Sequence, residues 1–181
     1  MWFYRAKTAT FFTSRVHIPR NMVFIAFFLN LITKSLEIWF DIWYIYDHTE
    51  RSLEKYSQYA FLLTPDFSTY SDMDLWRQLE SVAKNRWVGA YWQSKGRIVI
   101  PTVSWSDARS FEFCFDGVET GSTVAIGMIG CKRNKLHFLR GFWAMVEKID
   151  PSQIICFGTP FPEMQGNLVV VDYRDSRKVV R

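Results

Sequence analysis

Residues 123–158 read TVAIGMIGCKRNKLHFLRGFWAMVEKIDPSQIICFG, and the alternation of apolar and mixed stretches within them sets the fold class. Thr123–Ile129 is an unbroken apolar run closed by Gly130, the pattern of a strand buried on both faces. A helix is expected next, with Leu136, Leu139, Trp143 and Val146 on one face. Asp150-Pro151 ends it, because a proline pushes the preceding residue out of the helical region. Gln153–Phe157 (QIICF) is a further buried strand, ended by Gly158.

The same units recur on either side. Ala60–Thr64 (AFLLT) runs into Pro65-Asp66, and Ile98–Val103 (IVIPTV) carries Pro101, which marks an edge or a bulge. Between them a helix is expected from about Asp74, capped by Ser71 or Asp72. Its inner stripe is read as Trp76, Leu79, Ala83, Trp87, Ala90 and Tyr91, and Gly96 stops it as a left-handed cap. Leu168–Val171 (LVVV) supplies a fifth strand. Apolar strands separated by amphipathic helices imply an α/β domain: a mainly parallel sheet of about five strands, helices on both faces. That single domain is placed at 38–174, with a charged tail at 175–181.

Residues 1–37 read differently. Within them, residues 1–35 hold Arg5, Lys7, Arg15, Arg20 and Lys34 with no acid, and include the apolar run MVFIAFFLNLI at 22–32. The run has the outline of a signal peptide but no small-residue cleavage site follows it. It is also shorter than the ~20 apolar residues that a membrane span needs. Residues 1–37 are therefore read as a basic, apolar extension or a buried amphipathic helix, with no stable membrane span.

The formal charge of +4 is concentrated in that segment, so the rest of the chain is nearly neutral. A near-neutral body weakens the case for a dedicated nucleic-acid-binding module. Aromatic residues make up 18% of the chain. They can serve as core mass, as a stacking platform or as a membrane-interface belt, and core mass is the simplest use. Cys114, Cys131 and Cys156 form no CxxC pair, and His17, His48 and His137 are scattered. This suits a reducing, cytoplasmic setting and argues against a disulfide framework or structural zinc. The phosphate-loop, dinucleotide and nucleophile-elbow motifs are absent from the sequence.

Ligands of open parallel sheets bind beyond the carboxyl ends of the strands. That rule selects Asp66 and Ser68 after the first strand, Trp105 and Asp107 after the second, and Cys131 after the third. Asp66 and Asp107 would suit a hard cation such as magnesium, or hydroxyl groups of a ligand. Each also has a plain structural use, Asp66 as a turn cap, Asp107 as the cap of a helix at Ala108, and Trp105 as packing. Cys131 begins a turn with Lys132, Arg133 and Lys135, where a helix amino terminus and cations would attract phosphate and lower the thiol pKa. Phe111–Gly117 (FEFCFDG) has no clean period, and Asp116 within it is a further candidate.

These segments also carry a resemblance. PDFSTYSDM (65–73), NRWVGAYWQSKG (85–96), VIPTVSWSD (99–107) and FEFCFDG (111–117) are similar to the domain-of-unknown-function 4417 family, across roughly residues 56–160. The first 40 residues look unlike it. Its members occur in phage, plasmid and bacterial genomes, which implies a mobile-element setting and assigns no catalytic residue. The function expected is binding of, or action on, a nucleotide or other nucleic-acid-related phosphate compound at the strand-end rim. The alternative is a non-catalytic protein that engages a host or replication protein through its aromatic surface.

Overall fold

The structure, a computed structural model, describes residues 42–172. Expectations for residues 1–37 and for the tail at 175–181 lie outside the described residues. After a helical stretch at 42–47, three α-helices and five strands follow among the described residues, in the order α1 (Thr49–Tyr56), β1 (Phe61–Leu63), α2 (Leu75–Ser94), β2 (Ile98–Ile100), β3 (Thr123–Gly127), α3 (Lys135–Ile149), β4 (Gln153–Phe157) and β5 (Leu168–Val171). Two 3-10 turns, Ala108–Glu112 and Cys131–Asn134, precede β3 and α3. Among the described residues no helix is long and apolar enough to cross a membrane.

Every strand pairing is parallel, but the strands fall into two sheets, β1-β2 and β3-β4-β5, where one sheet was expected. The break has a local cause at Pro101, which has no N–H to give. Just past it Thr102 turns to side-chain bonding: its backbone N donates to Thr64 Oγ1 (2.8 Å) and its hydroxyl donates to the Thr64 carbonyl (2.8 Å). On the other side a single bridge, Thr102 to Ala125, joins the two sheets. Its bonds run from Ala125 N to Pro101 O (2.9 Å) and from Val103 N to Ala125 O (2.8 Å). The strands thus stand side by side in chain order, with a seam between β2 and β3.

Chain order has a consequence for the helices. When successive crossovers share one hand, as parallel crossovers do, their helices come to one face of the sheet. Val88 and Trp92 of α2 pack with Leu62 and Val99. Leu139, Phe142, Met145 and Ile149 of α3 pack with Val124, Ile126, Ile154 and Cys156. By register all of these strand residues point to the same side. The other side, with Leu63, Ile100, Ala125, Ile155 and Phe157, is buried as well.

The stripe expected to face inward on α2 is turned out. Trp76 is 63% exposed, Trp87 50% and Leu79 41%, and the buried positions are Gln78, Val82, Lys84, Asn85, Val88, Gly89 and Trp92. Toward its C-terminal end, at Val88 and Trp92, α2 lies over strand side chains. From Gln78 to Arg86 it also lies over loop backbone, and loop backbone needs hydrogen-bond donors. Gln78 Nε2 donates to Tyr70 O (3.0 Å) and Met73 O (2.9 Å), and Asn85 Nδ2 donates to Pro65 O (2.7 Å). Arg86 donates to Cys114 O (2.8 Å), Asp116 O (2.9 Å) and Thr102 O (3.3 Å). The expected stripe of α3 is corrected in the same way: Leu139 is buried, but Leu136 is 73% exposed and Trp143 41%. Residue 74, and neither Ser71 nor Asp72, is the N-cap of α2.

Burial lowers the Arg86 pKa to about 10, so the guanidinium keeps its charge at neutral pH. Replacing it with methionine would leave three carbonyls without their donor. Arg86→Met is expected to lose about 3 kcal/mol or more in urea unfolding. A loss below ~1 kcal/mol would show that these carbonyls find other donors.

Candidate functional site

Beyond the carboxyl ends of β1, the β2 segment and β3 lies a cavity of about 240 Å³. Its lining includes Asp66, Ser68 and Thr69 from the first loop, Ser104 and Trp105 from the second, and Gly130 and Cys131 from the third. Val103, Ile126, Ile129 and Phe138 add apolar wall. The cavity thus lies at the strand ends, where the rule for open parallel sheets looks for a ligand.

Asp66 is the unusual group in it. Its Oδ1 is buried with no hydrogen-bond partner, and so is Oγ1 of Thr69 in the same lining. Burial raises the Asp66 pKa from the usual 3.8 to about 6, against a smaller opposing pull from the Ser104 hydroxyl. The turn that holds it is fixed from below, because Pro65 O accepts from Asn85 and Ser68 O accepts from Ser81 Oγ (3.3 Å). Asp66 is thus held in the wall, and its free oxygen caps no turn.

Trp105 is fixed more firmly still. Its Nε1 donates to Phe138 O (3.2 Å), and its ring packs against Phe138 and Phe115 at centroid distances of 5.0 and 6.1 Å. The indole lies against Gly141 of α3, where a Cβ would sit 2.1 Å from Trp105 Cδ1. The packing use of this residue is real, and it also makes the indole a rigid wall of the cavity.

Cys131 lines the cavity, but its expected activation is reversed. Burial, with the nearby Asp66 charge adding to it, pushes the thiol up to about 11. Its Sγ lies 3.6 Å from both Gly127 O and Ile129 O. Lys132 and Arg133 are exposed and outside the lining, and Lys135 pairs with Glu163 at 2.6 Å. The basic turn therefore does not present a set of free cations to the cavity.

The other candidates lie elsewhere. Asp107 accepts from Arg109 N (3.0 Å), capping the 3-10 turn as its structural use foresaw, and pairs with the Arg109 guanidinium at 2.6 Å. That bond holds its carboxyl below the usual range. It lines a neighbouring cleft, so the Asp66–Asp107 pair expected for magnesium is not formed. Asp116 is exposed and paired with Lys148 at 2.7 Å. Asp66, Ser68, Trp105 and Cys131 are brought together; Asp107, Asp116, Lys132 and Arg133 are not. Thr69, Ile129 and Phe138 were missed. Phe138 had a signal, since it lies beside His137 in the turn of α3 that follows the third strand.

A family model described as "Domain of unknown function (DUF4417)" matches residues 22–174. The chain belongs to this family. The match begins well before the segments that carry the resemblance, and takes in the apolar run at 22–32. The chain is similar to the "Gene 1 protein" of Mycobacterium phage L5, 41% identical over 112 residues, covering 60% of this chain and 49% of that protein. It is also similar to the "Gene 1 protein" of Mycobacterium phage D29, 36% identical over 117 residues, covering 63% of this chain and 43% of that protein. The matched stretch thus spans about half or less of these relatives. No solved structure matches the chain.

A methyl group at position 141 would drive the indole out of place. Gly141→Ala is expected to fold with a loss of about 1–3 kcal/mol, the usual cost of overpacking, and to weaken any ligand of the cavity. An unchanged melting temperature would mean that the indole moves freely and is no wall.

Proposed function

We propose that the strand-end cavity binds the base of a nucleotide or a related nucleic-acid building block. The observation that carries this reading is Asp66, which lines a largely apolar cavity and has one buried oxygen without a hydrogen-bond partner. With a pKa of about 6 the carboxylate is mostly ionised at neutral pH and can only accept hydrogen bonds. The matching ligand presents N–H donors on a flat apolar body, which is the description of a nucleobase edge. Thr69 supplies a second polar contact, and Trp105 and Phe138 supply planar surface.

Size and charge refine the expectation. Whole ligands occupy sites of roughly 300–1,000 Å³, so about 240 Å³ suits a ring system with the remainder outside. A phosphate inside would meet the Asp66 carboxylate with no cation beside it. The phosphoryl group therefore stays out of this cavity, which changes the part of the reading that placed an anion at Cys131–Lys135. The relatives are phage proteins named only as gene 1 products, and they assign no reaction.

One observation favours the second reading, a module engaging a host or replication protein: Trp76, Leu79 and Trp87 stand outward along α2. Large exposed apolar residues in a row mark interaction surfaces.

Thermal shift with a panel of nucleosides tests the first reading. At least one nucleoside is expected to raise the melting temperature of the wild type and to leave Asp66→Asn unmoved. Equal shifts in both proteins, or none with any nucleoside, would overturn it.

A further inference from the structure

Next to the strand-end cavity is a second concavity of about 200 Å³, lined by Asp107, Ala108, Arg109, Phe111, His137 and Arg140. The two are neighbours along two separate stretches of chain. Trp105 and Phe138 line the first, and Asp107 and His137 line the second. Three of the six lining residues of this cleft are basic and one is acidic.

The acid is already engaged. Asp107 accepts from the Arg109 side chain through both oxygens, at 3.1 Å from Nε to each and 2.6 Å from Nη2. Arg109 Nη2 also donates to Ser71 O (3.1 Å), so the guanidinium is held in place at the cleft by two acceptors. The charge of Arg109 is thereby balanced. His137 and Arg140 are not balanced in this way. They stand three residues apart on α3, on one side of the helix, and neither side chain has an ion pair or hydrogen bond among the described residues, although His137 is near enough to help lower the Asp107 pKa. Phe111 and Ala108 complete the lining with apolar surface.

We propose that the Arg109–His137–Arg140 cleft is a phosphate subsite, taking the phosphoryl group of a ligand whose base occupies the strand-end cavity. A planar guanidinium offers paired N–H donors that match phosphate oxygens, and Arg140 has all of its donors free for that use. Arg109 adds a fixed donor set, and His137 adds a ring nitrogen. The arrangement also accounts for a cavity that is hostile to phosphate lying directly beside a cleft that attracts it. The link to the base rests on the nucleotide reading above; the phosphate site itself does not.

Two measurements separate them. In the first, pyrophosphate alone is titrated into the protein while the His137 ring resonances are followed by NMR. They are expected to shift in the wild type and in Asp66→Asn, and not in Arg140→Gln. Arg140 is exposed, so its replacement leaves the fold intact. In the second, a nucleoside is compared with its monophosphate. The monophosphate is expected to bind at least about tenfold tighter, the equivalent of one charge-assisted hydrogen bond, and Arg140→Gln should erase that advantage while leaving the nucleoside affinity alone. A pyrophosphate effect that survives Arg140→Gln, or no effect in the wild type, would overturn the phosphate subsite. Pyrophosphate shifts without any nucleoside binding would uphold the subsite and sink the base reading.

Discussion

The loops beyond the strand ends carry backbone carbonyls that are mostly buried or part-buried, and those shielded from water must find a donor. Helix α2 supplies them. Gln78 serves Tyr70 and Met73, Asn85 serves Pro65, and Arg86 serves Thr102, Cys114 and Asp116. Gln78 Oε1 also accepts from Ser106 Oγ at 2.5 Å, which ties the second loop to the first. Arg86 Nη1 in turn donates to Asn85 Oδ1 at 2.5 Å and orients it. These few side chains fix the positions of both loops from which Asp66, Ser104 and Trp105 reach the cavity. The rim is therefore built by polar contacts on one helix face, with the apolar core beneath it.

That arrangement explains what could be read from the residues. The strands were legible because a strand buried on both faces has to be apolar throughout, and Gln153–Phe157 and Leu168–Val171 were placed to the residue. Pro101 was read as an edge or a bulge of one sheet, and the seam between two sheets lies there instead. The inner face of α2 was misassigned for a physical reason. Where a helix covers backbone its inward residues are polar, and a search for apolar periodicity then selects the outer face. Trp76 and Trp87 were chosen on that ground and stand in solvent.

The site divides along similar lines. Residues directly after a strand end stay near the rim, so Asp66, Ser68, Trp105 and Cys131 could be found from position alone. What removes a candidate is a partner elsewhere, and partners are set by the fold. Asp116 and Lys148 are 32 residues apart, and Lys135 reaches Glu163. The Cys131 thiol illustrates the same point. Neighbouring cations in the sequence suggested a lowered pKa, but burial and the Asp66 charge act in the opposite direction.

Asp66 is ionised in the folded protein at a cost to stability, as functional groups often are. Its folded pKa of about 6 lies above its usual 3.8. The protonated form is therefore favoured in the folded protein, and the stability this gives is complete below pH ~4 and lost as pH rises through ~6. The difference of roughly two pH units corresponds to about 3 kcal/mol. The direct measurement is urea unfolding of wild type and Asp66→Asn between pH 4 and pH 8. The two proteins should be close in stability at the acid end, and the asparagine variant should pull ahead by up to about 3 kcal/mol above pH ~6. An asparagine variant that falls further behind the wild type as pH rises would mean that the ionised carboxylate is held by partners, and would contradict the account.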